Sequence, residues 1–205
     1  MISREEYFSK RDPSAFPLWQ KATVGIAGAG GLGSNIAFSL ARAGIGTLII
    51  ADYDIVTLEN LNRQQYTIAQ IGKLKVEALA ENIQSFNPFI NLVLHPVKIT
   101  PANFNAIFGT TDLLLEALDE AEQKEMLISC WTSNYPNKHL IVASGLAGYG
   151  KNESIHTEHY GFLHLVGDMK SELNAEISPV ATRVAVVANM QANLALELLA
   201  ETKGM

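Results

Sequence analysis

The sequence predicts an α/β fold in which helices cover both faces of a mostly parallel sheet. Two observations lead to this prediction. Short apolar runs alternate with segments of helical spacing, which is typical of strand–helix–strand units. A glycine-rich turn at 28–33 lies between the first apolar run and the first helical segment. Together they indicate a Rossmann-like, doubly wound sheet.

Each element follows from a local pattern. A β-branched, apolar run precedes the glycine turn, and Ile36, Leu40 and Ala41 share one face of the helix after it. Gly44 is expected to end this helix, because glycine tolerates the left-handed conformation of a helix C-terminus. The predicted strands are 23–27, 47–51, 91–94, 112–117 and 139–143, and the predicted helices are 34–43, 73–86, 121–132 and 180–201.

The pattern is less regular in two places. Residues 1–22 are polar and contain two prolines, so we predict an N-terminal arm with a short helix. Between 145 and 179 the periodicity weakens, and short apolar pieces predict antiparallel strands and loops. We therefore expect a single domain over 23–205, preceded by the arm.

Composition and charge narrow the possible functions. The chain has 205 residues, 48% of them apolar, and its formal net charge of −6 argues against nucleic-acid binding. A single cysteine excludes an internal disulfide and a four-thiolate zinc site, and fits a reducing, cytoplasmic location. The first twenty residues show no signal-peptide core. Arg183 and Glu197 interrupt the longest apolar stretch, so we expect no membrane segment.

The glycine turn predicts a nucleotide-binding domain. Phosphate oxygens reach backbone N–H groups at a helix N-terminus only where no side chain intervenes. Asp52 follows at the end of the second strand, where a carboxylate accepts hydrogen bonds from ribose hydroxyl groups. These features fit NAD and ATP equally, and a tight turn without a ligand is the structural alternative. The four glycines of the turn are Gly28, Gly30, Gly31 and Gly33.

Polar residues after the second strand narrow the choice of ligand. Arg63 and Lys75 suit a ligand more negative than a dinucleotide, such as a triphosphate. Asn60 and Gln64 add neutral hydrogen-bonding groups. The structural alternative is a solvated helix start with ordinary surface cations, and we expect this to hold for Lys73.

The combined motifs resemble those of the ThiF/MoeB/HesA family, the bacterial relatives of ubiquitin-activating enzymes. The resemblance runs from about residue 23 to the C-terminus and is far more specific than the glycine turn alone. The short chain resembles a compact ThiF-like subgroup linked to thiamine biosynthesis. The matching segments are 28–34, 52–56, 60–64, 72–77, 87–88, 117–119 and 191–192.

The resemblance implies an ATP-dependent adenylyltransferase that requires Mg²⁺. Its expected substrate is the C-terminal glycine of a small ubiquitin-like, ThiS-like sulfur carrier that ends in Gly-Gly, and pyrophosphate leaves. Such chemistry needs positioning and cations rather than an enzyme nucleophile. The resemblance also implies a homodimer in which Arg4, or alternatively Arg11, reaches the site of the partner subunit.

Each site residue receives a role by the same resemblance. Asp119 is expected to hold Mg²⁺ and Asp52 to bind the ribose. Arg63 and Lys75 are expected to bind the phosphates, and Gly31 is the contact within the loop. Catalysis is therefore expected to depend on Arg63, Lys75, Asp119 and Arg4. The other residues expected to line the nucleotide pocket are Gly28, Gly30, Gly33, Asn60 and Gln64.

The sequence departs from the family pattern at three places. The paired Cys-x-x-Cys motifs of larger members are missing, so no zinc site is expected. Cys130 matches no sulfur-transfer position and is expected to be a buried core cysteine. Glu120 follows Asp119 where relatives often have Asn.

Two further polar clusters receive structural interpretations. A solvated acidic stretch is expected at Asp168, Glu172 and Glu176, with a surface that faces a basic patch on a partner as the alternative. A cluster of histidines is expected to lie on a polar surface, with a metal site as the alternative. The histidines of this cluster are His156, His159 and His164.

Three other functions remain open. An NAD-dependent oxidoreductase explains the glycines and Asp52 but leaves Arg63, Lys75 and Asp119 without a role. A non-catalytic adaptor that binds the carrier is compatible with Glu120 and the missing cysteines. A tRNA-modifying relative that activates a small carboxylate on adenosine is opposed by the acidic charge and the short chain.

Overall fold

A seven-stranded sheet forms the centre of the computed structural model, which describes residues 2–172 and 177–201. Its strands are β1 (Thr23–Ala27), β2 (Thr47–Ala51), β3 (Asn91–His95), β4 (Leu113–Glu116), β5 (Leu140–Ala143), β6 (His156–Tyr160) and β7 (Leu163–Gly167). Across the sheet the order is β3-β2-β1-β4-β5-β7-β6. Neighbouring strands are parallel, except for the antiparallel pair β6–β7.

Helices cover both faces of this sheet. They are α1 (Arg4–Phe8), α2 (Phe16–Trp19), α3 (Gly31–Ala43), α4 (Lys75–Phe86), α5 (Pro101–Phe108), α6 (Ala121–Asn134) and α7 (Ala181–Glu201). Buried residues of α3, α4 and α7 share one apolar cluster, and those of α5 and α6 form a second. No helix in the described part of the chain is both long enough and apolar enough to span a membrane.

Local sequence explains the helix between β1 and β2. Ile36, Ala37 and Leu40 of α3 are fully buried against the sheet, and burying a large aliphatic side chain stabilises the fold by about 1.5–3 kcal/mol. Gly44 adopts a left-handed φ of 103° and its N–H bonds the carbonyl of Leu40, which ends the helix as expected.

The strand order creates a crevice between β1 and β4. From β1 the chain builds the sheet towards β3, whereas from β4 it builds towards β6. Connections therefore leave the two central strands in opposite directions, and their carboxyl ends are left uncovered. Ligands bind at such switch points in open α/β sheets.

The predicted α/β architecture is confirmed, with four differences in detail. The helix α3 begins at Gly31 rather than at residue 34, because the glycines themselves form its first turn. The helix α4 begins at Lys75 rather than at 73, since Leu74 before it has an extended ψ of 133°. The helix α5 was not predicted. Finally, β7 runs parallel to β5, so the described strands contain one antiparallel pair.

The described part of the N-terminal segment packs against the remainder of the fold. Phe8 is buried and its ring lies 4.9 Å from that of Phe16. The indole Nε1 of Trp19 donates a hydrogen bond to the carbonyl of Leu196 in α7, at 2.9 Å. The division of the chain into an arm over 1–22 and a domain over 23–205 stays a prediction.

Candidate active site

A cleft of about 890 Å³ lies at the carboxyl ends of β1, β4 and β5. One half of it is formed by the glycine turn and the segment 51–75. The other half is formed by the segments 142–147 and 169–172 and by the start of α7. Asp119 and Glu120 follow β4 between the two halves.

The glycines of the turn have two different physical roles. A Cβ at Gly33 would lie 1.9 Å from the carbonyl oxygen of Gly28, and one at Gly28 would lie 2.5 Å from that of Ala117. These two positions are glycine because backbones touch there, and Gly33 does not line the cleft. Gly30 and Gly31 do line it, and a Cβ at Gly30 would meet only Gln64, at 3.8 Å.

Asp52 and Tyr66 hold the glycine turn in place. The backbone N–H groups of Ala29 and Asp54 donate to the two carboxylate oxygens of Asp52, at 2.6 and 2.8 Å. The Tyr66 hydroxyl donates to the carbonyl of Ala29 at 2.6 Å. Burial raises the pKa of Asp52, while the charge of Lys75 and the two N–H groups oppose that rise. Asp52, which the sequence predicts to bind the ribose, thus also supports the glycine turn.

Two cations lie beside the turn, in different environments. The Lys75 ammonium is 2.6 Å from Asp54 Oδ2, and its side chain is 8% exposed against 46% for Asp54. Arg63 is half-buried and its Nη1 donates to Asn62 Oδ1 at 2.8 Å. The Asp54 carboxylate therefore holds the Lys75 ammonium group in position, and Arg63 is the more accessible of the two cations. Lys73, as expected, is a surface cation, paired with Glu81 at 2.7 Å.

Amide groups complete this half of the cleft. Gln64 is buried, and its Oε1 has no hydrogen-bond partner among the described residues. An unsatisfied buried acceptor is costly unless a ligand supplies the donor. Asn60 also lines the cleft, and its Oδ1 accepts from the N–H of Thr57 at 3.0 Å.

Carboxylates converge where the two halves meet. The negative charge of Asp54, with slight burial and the charges of Glu120, Asp119 and Asp52, raises the pKa of Tyr53. Among the described residues, no three His, Cys, Asp or Glu side chains are close enough to hold a metal alone. Mg²⁺ in nucleotide sites needs only one or two carboxylates, because phosphates and water complete its shell. The exposed Asp119 fits that use.

A buried network that was not predicted from the sequence lies beneath the cleft. Glu116 is fully buried at the end of β4, with Lys124 Nζ 3.2 Å from its Oε2. The same ammonium donates to the carbonyl of Ala143 at 2.7 Å, and Gln191 Nε2 donates to the carbonyl of Glu116 at 3.2 Å. Burial raises the pKa of Glu116 and the Lys124 charge opposes it. The family resemblance at Gln191 and Ala192 drew attention to helix α7, but it did not predict the hydrogen bond between Gln191 and Glu116.

Two arginines proposed to act in trans lie outside the cleft of their own chain. Arg4 is exposed and its Nη2 donates to Gln20 Oε1. Arg11 Nε donates to the carbonyl of Arg42 at 2.9 Å. Neither lines the site within one chain, so their role in a partner subunit stays a prediction.

Two expectations about the burial of side chains were wrong. Cys130 is half-buried at the edge of the second apolar cluster, rather than fully buried. Asp168 is not solvated, because it forms an ion pair of 2.6 Å with the buried Arg183. Glu172 is exposed, and Glu176 lies outside the described residues.

The expected histidine cluster has a different membership, and His164 is buried rather than on a polar surface. His156 is exposed and pairs with Glu158 at 3.2 Å. His139 takes its place: its Nδ1 is 2.8 Å from His164 Nε2, while His159 Nδ1 is 2.7 Å from His164 Nδ1. Burial, followed by the charges of His139 and His159, lowers the pKa of His164 to about 4. The cluster exists because β5 and β7 are neighbours.

These features define a doubly wound α/β protein with a phosphate-binding type of glycine turn at its switch point. The family model for ThiF matches residues 13–204. The chain therefore belongs to the ThiF family, and the resemblance seen in the sequence is confirmed.

Curated relatives support this assignment. The adenylyltransferase and sulfurtransferase UBA4 of Candida glabrata is 38% identical over 133 residues, which is 64% of this chain and 30% of that protein. The adenylyltransferase and sulfurtransferase MOCS3 of Caenorhabditis briggsae is 35% identical over 144 residues, or 69% of this chain and 34% of that protein. The chain thus spans about a third of the length of these relatives.

Solved structures share the fold. The E. coli tRNA N6-threonylcarbamoyladenosine dehydratase TcdA, in complex with ATP, superposes with a TM-score of 0.87 at 21% identity, covering 100% of this chain and 98% of that one. E. coli MccB with ATP gives a TM-score of 0.70 at 20% identity, covering 91% of this chain and 58% of that one.

Proposed function

We propose that this protein is an ATP-dependent adenylyltransferase that activates the C-terminal glycine of a small ubiquitin-like sulfur carrier ending in Gly-Gly. The observation that carries the proposal is the composition of the cleft. Arg63 and Lys75 stand beside the glycine turn, and Asp119 lies between that turn and the second half of the cleft. A dinucleotide needs neither the two cations nor the central carboxylate.

The chemistry requires few protein groups. A carboxylate oxygen of the carrier forms a bond to the α-phosphorus of ATP, and the bond from that phosphorus to the bridging oxygen breaks. The electron pair leaves with pyrophosphate, and the product is an acyl-adenylate. Negative charge grows on phosphate oxygens, so fixed cations and backbone N–H groups lower the barrier.

Each residue contributes binding or orientation in this proposal. Asp52 accepts from the ribose, and Gln64 Oε1 gains a donor from the ligand. Arg63 neutralises phosphate charge directly, whereas Lys75 acts from its pair with Asp54. Asp119 would hold Mg²⁺, which supplies charge neutralisation on the phosphates when bound.

Further parts of the proposal concern the setting. We include a homodimer in which Arg4 or Arg11 completes the partner's site, a role in thiamine thiazole biosynthesis with a ThiS-like carrier, and a cytoplasmic location. The division into an arm over 1–22 and a nucleotide-binding domain over 23–205 belongs here as well.

The proposed dimer can be tested by mixing equal amounts of inactive Arg4→Ala and Asp119→Asn homodimers. About half of the dimers become mixed, and one of the two sites in each mixed dimer has both residues intact. About a quarter of the wild-type rate should therefore return.

Carrier-dependent exchange of labelled pyrophosphate into ATP tests the proposed reaction. Asp119→Asn should lower the exchange rate by roughly 10²- to 10³-fold while leaving the unfolding midpoint unchanged. Glu122→Gln is a matched control, since this exposed residue of α6 lies outside the cleft and loses the same charge. Wild-type exchange by a folded Asp119→Asn protein would disprove the assigned role.

Other functions give different results in the same assays. A titration in which NAD binds and ATP–Mg²⁺ does not would favour an oxidoreductase. Carrier binding without exchange would identify an adaptor. Adenylate formation that depends on tRNA instead of the carrier would identify a tRNA-modifying enzyme.

A further inference from the structure

The second half of the cleft is built from three segments that one buried ion pair joins. They are the loop after β5 (144–150), the loop after β7 (168–172) and the first turn of α7. Arg183 lies in that turn and is 4% exposed. Its Nη2 donates to Asp168 Oδ2 at 2.6 Å, and its Nη1 donates to the carbonyl of Gly150. One guanidinium therefore holds both loops.

Asp168 extends these ties through its second oxygen. Its Oδ1 accepts from the N–H groups of Lys170 and Ser171, at 2.9 and 2.7 Å. The Ser171 hydroxyl oxygen accepts from the N–H of Ala147 at 3.0 Å, which links the two loops again. A Cβ at Gly145 would lie 2.1 Å from Asp168 Oδ1, so the loops are interlocked at close contact.

Stability alone is a poor explanation for this pair. A buried ion pair commonly stabilises a fold no better than apolar side chains of the same volume, because desolvation opposes the attraction. The Nε of Arg183 is also buried without a hydrogen-bond partner among the described residues. Fixed geometry is the property that such a pair supplies.

The geometry matters because of what the two loops enclose. Ala143, Ser144, Gly145 and Ala147 contribute backbone and small side chains to this half of the cleft, and Leu146 and Met169 contribute longer side chains. An acceptor carboxylate must approach the α-phosphorus from the side away from the leaving pyrophosphate, so the acceptor enters through this half. The distance between the two loops therefore decides which side chains near the end of an incoming chain can fit.

We propose that Asp168 and Arg183 are positioning residues that set the width of the acceptor half of the cleft, so that it selects a chain end with two glycines. The inference rests on the proposed function and names a determinant of its specificity. Neither residue needs to touch the reacting atoms.

Discrimination between two carriers tests the proposal. The carriers are identical except that the penultimate glycine of the second is alanine, and each is assayed by pyrophosphate exchange. Wild type should prefer Gly-Gly in kcat/KM by roughly 10- to 100-fold, the range expected for one extra methyl group. In Arg183→Lys the single ammonium group can bond only one of the two loops at a time. This preference should therefore fall about tenfold, while the KM for ATP stays within about twofold of the wild-type value.

A second variant guards against misfolding. Ser171→Ala removes one link between the loops and leaves the ion pair in place, so a smaller loss of preference, about threefold, is expected. Lys73→Met is the control, because it removes an exposed ion pair outside the cleft. Its preference should equal that of wild type. An unchanged preference in folded Arg183→Lys, or an equal rise in the KM values for ATP and carrier, would overturn the proposal.

Failure of the proposed function is distinguishable from failure of this inference. If wild type catalyses no exchange, adenylylation is disproved, and calorimetric binding of the two carriers then decides the role of the pair. A wild-type preference for Gly-Gly that Arg183→Lys weakens would support it. Absence of carrier binding by wild type, or equal preference in both proteins, would reject it.

Discussion

Each half of the cleft contains both close backbone contacts and charged pairs, but a different one of the two joins the main segments of each half. In the half formed by the glycine turn, the turn and the helix after it are joined by backbones in contact, where a Cβ at Gly33 would lie 1.9 Å from the carbonyl oxygen of Gly28. The acceptor half depends on charge, through the pair of Asp168 and Arg183 at 2.6 Å. Steric contact is independent of pH and intolerant of one methyl group, whereas an ion pair tolerates small changes in shape but responds to protonation. Added methyl groups should therefore disrupt the first half of the cleft, whereas protonation should disrupt the second.

The largest effect is expected from Gly33→Ala. The added Cβ collides with backbone, so loop and helix must move apart, which should lower the free energy of unfolding by about 3 kcal/mol. Urea denaturation measures this. Gly72→Ala provides the comparison without a steric contact, because no atom lies within 4 Å of the Gly72 Cβ position, although Gly72, unlike the helical Gly33, has a left-handed φ of 90°. A loss of about 1 kcal/mol is expected there from backbone strain alone. Equal losses would refute the contact argument.

Gly30→Ala should separate binding from folding within the same turn. Its added Cβ would meet only Gln64 Nε2, at 3.8 Å, so the free energy of unfolding should stay within about 0.5 kcal/mol of wild type. The methyl group would instead stand where phosphates approach the backbone, and affinity for ATP should fall roughly 10- to 100-fold. Calorimetric titration with ATP–Mg²⁺ provides the test. Wild-type affinity would show that phosphates do not bind at Gly30.

The same contrast explains how far the sequence predicts the molecule. The glycine turn, Asp52 and the strands around them were predicted correctly in position, because backbone sterics and strand periodicity are local properties. The acceptor half was not predicted, since Asp168 and Arg183 meet only after β7 has paired with β5. Arg183 offered one signal, as a charge in an apolar helical pattern, but its partner was interpreted as solvated.

Other differences have the same origin. His139 joins His164 because of the strand order, which no local pattern reveals. The helix α5 was overlooked although Thr100 and Asn103 form a capping box at its start and Phe104 and Phe108 lie one turn apart. That signal was present in the sequence. The predicted roles of the site residues remain to be tested by mutation.

The smallest effect concerns pH and the acceptor half. Burial raises the pKa of Asp168, but hydrogen bonds from Ser171, Lys170 and Arg183 outweigh it and lower the pKa to about 2, from 3.8. Because the folded value is the lower one, the pair stabilises the protein above pH 3.8, and this stabilisation is lost as the pH falls towards 2.

Asp168→Asn should therefore be less stable than wild type by about 1–2 kcal/mol at pH 7, a figure reduced by solvent screening at the loop. The difference should shrink between pH 4 and pH 2 in urea denaturation. Asp119→Asn serves as the matched control, since it neutralises an exposed carboxylate of the same cleft and should change stability by less than about 0.5 kcal/mol at pH 7. A difference for Asp168→Asn that stays constant from pH 7 to pH 2 would mean that packing, and not charge, holds the acceptor half.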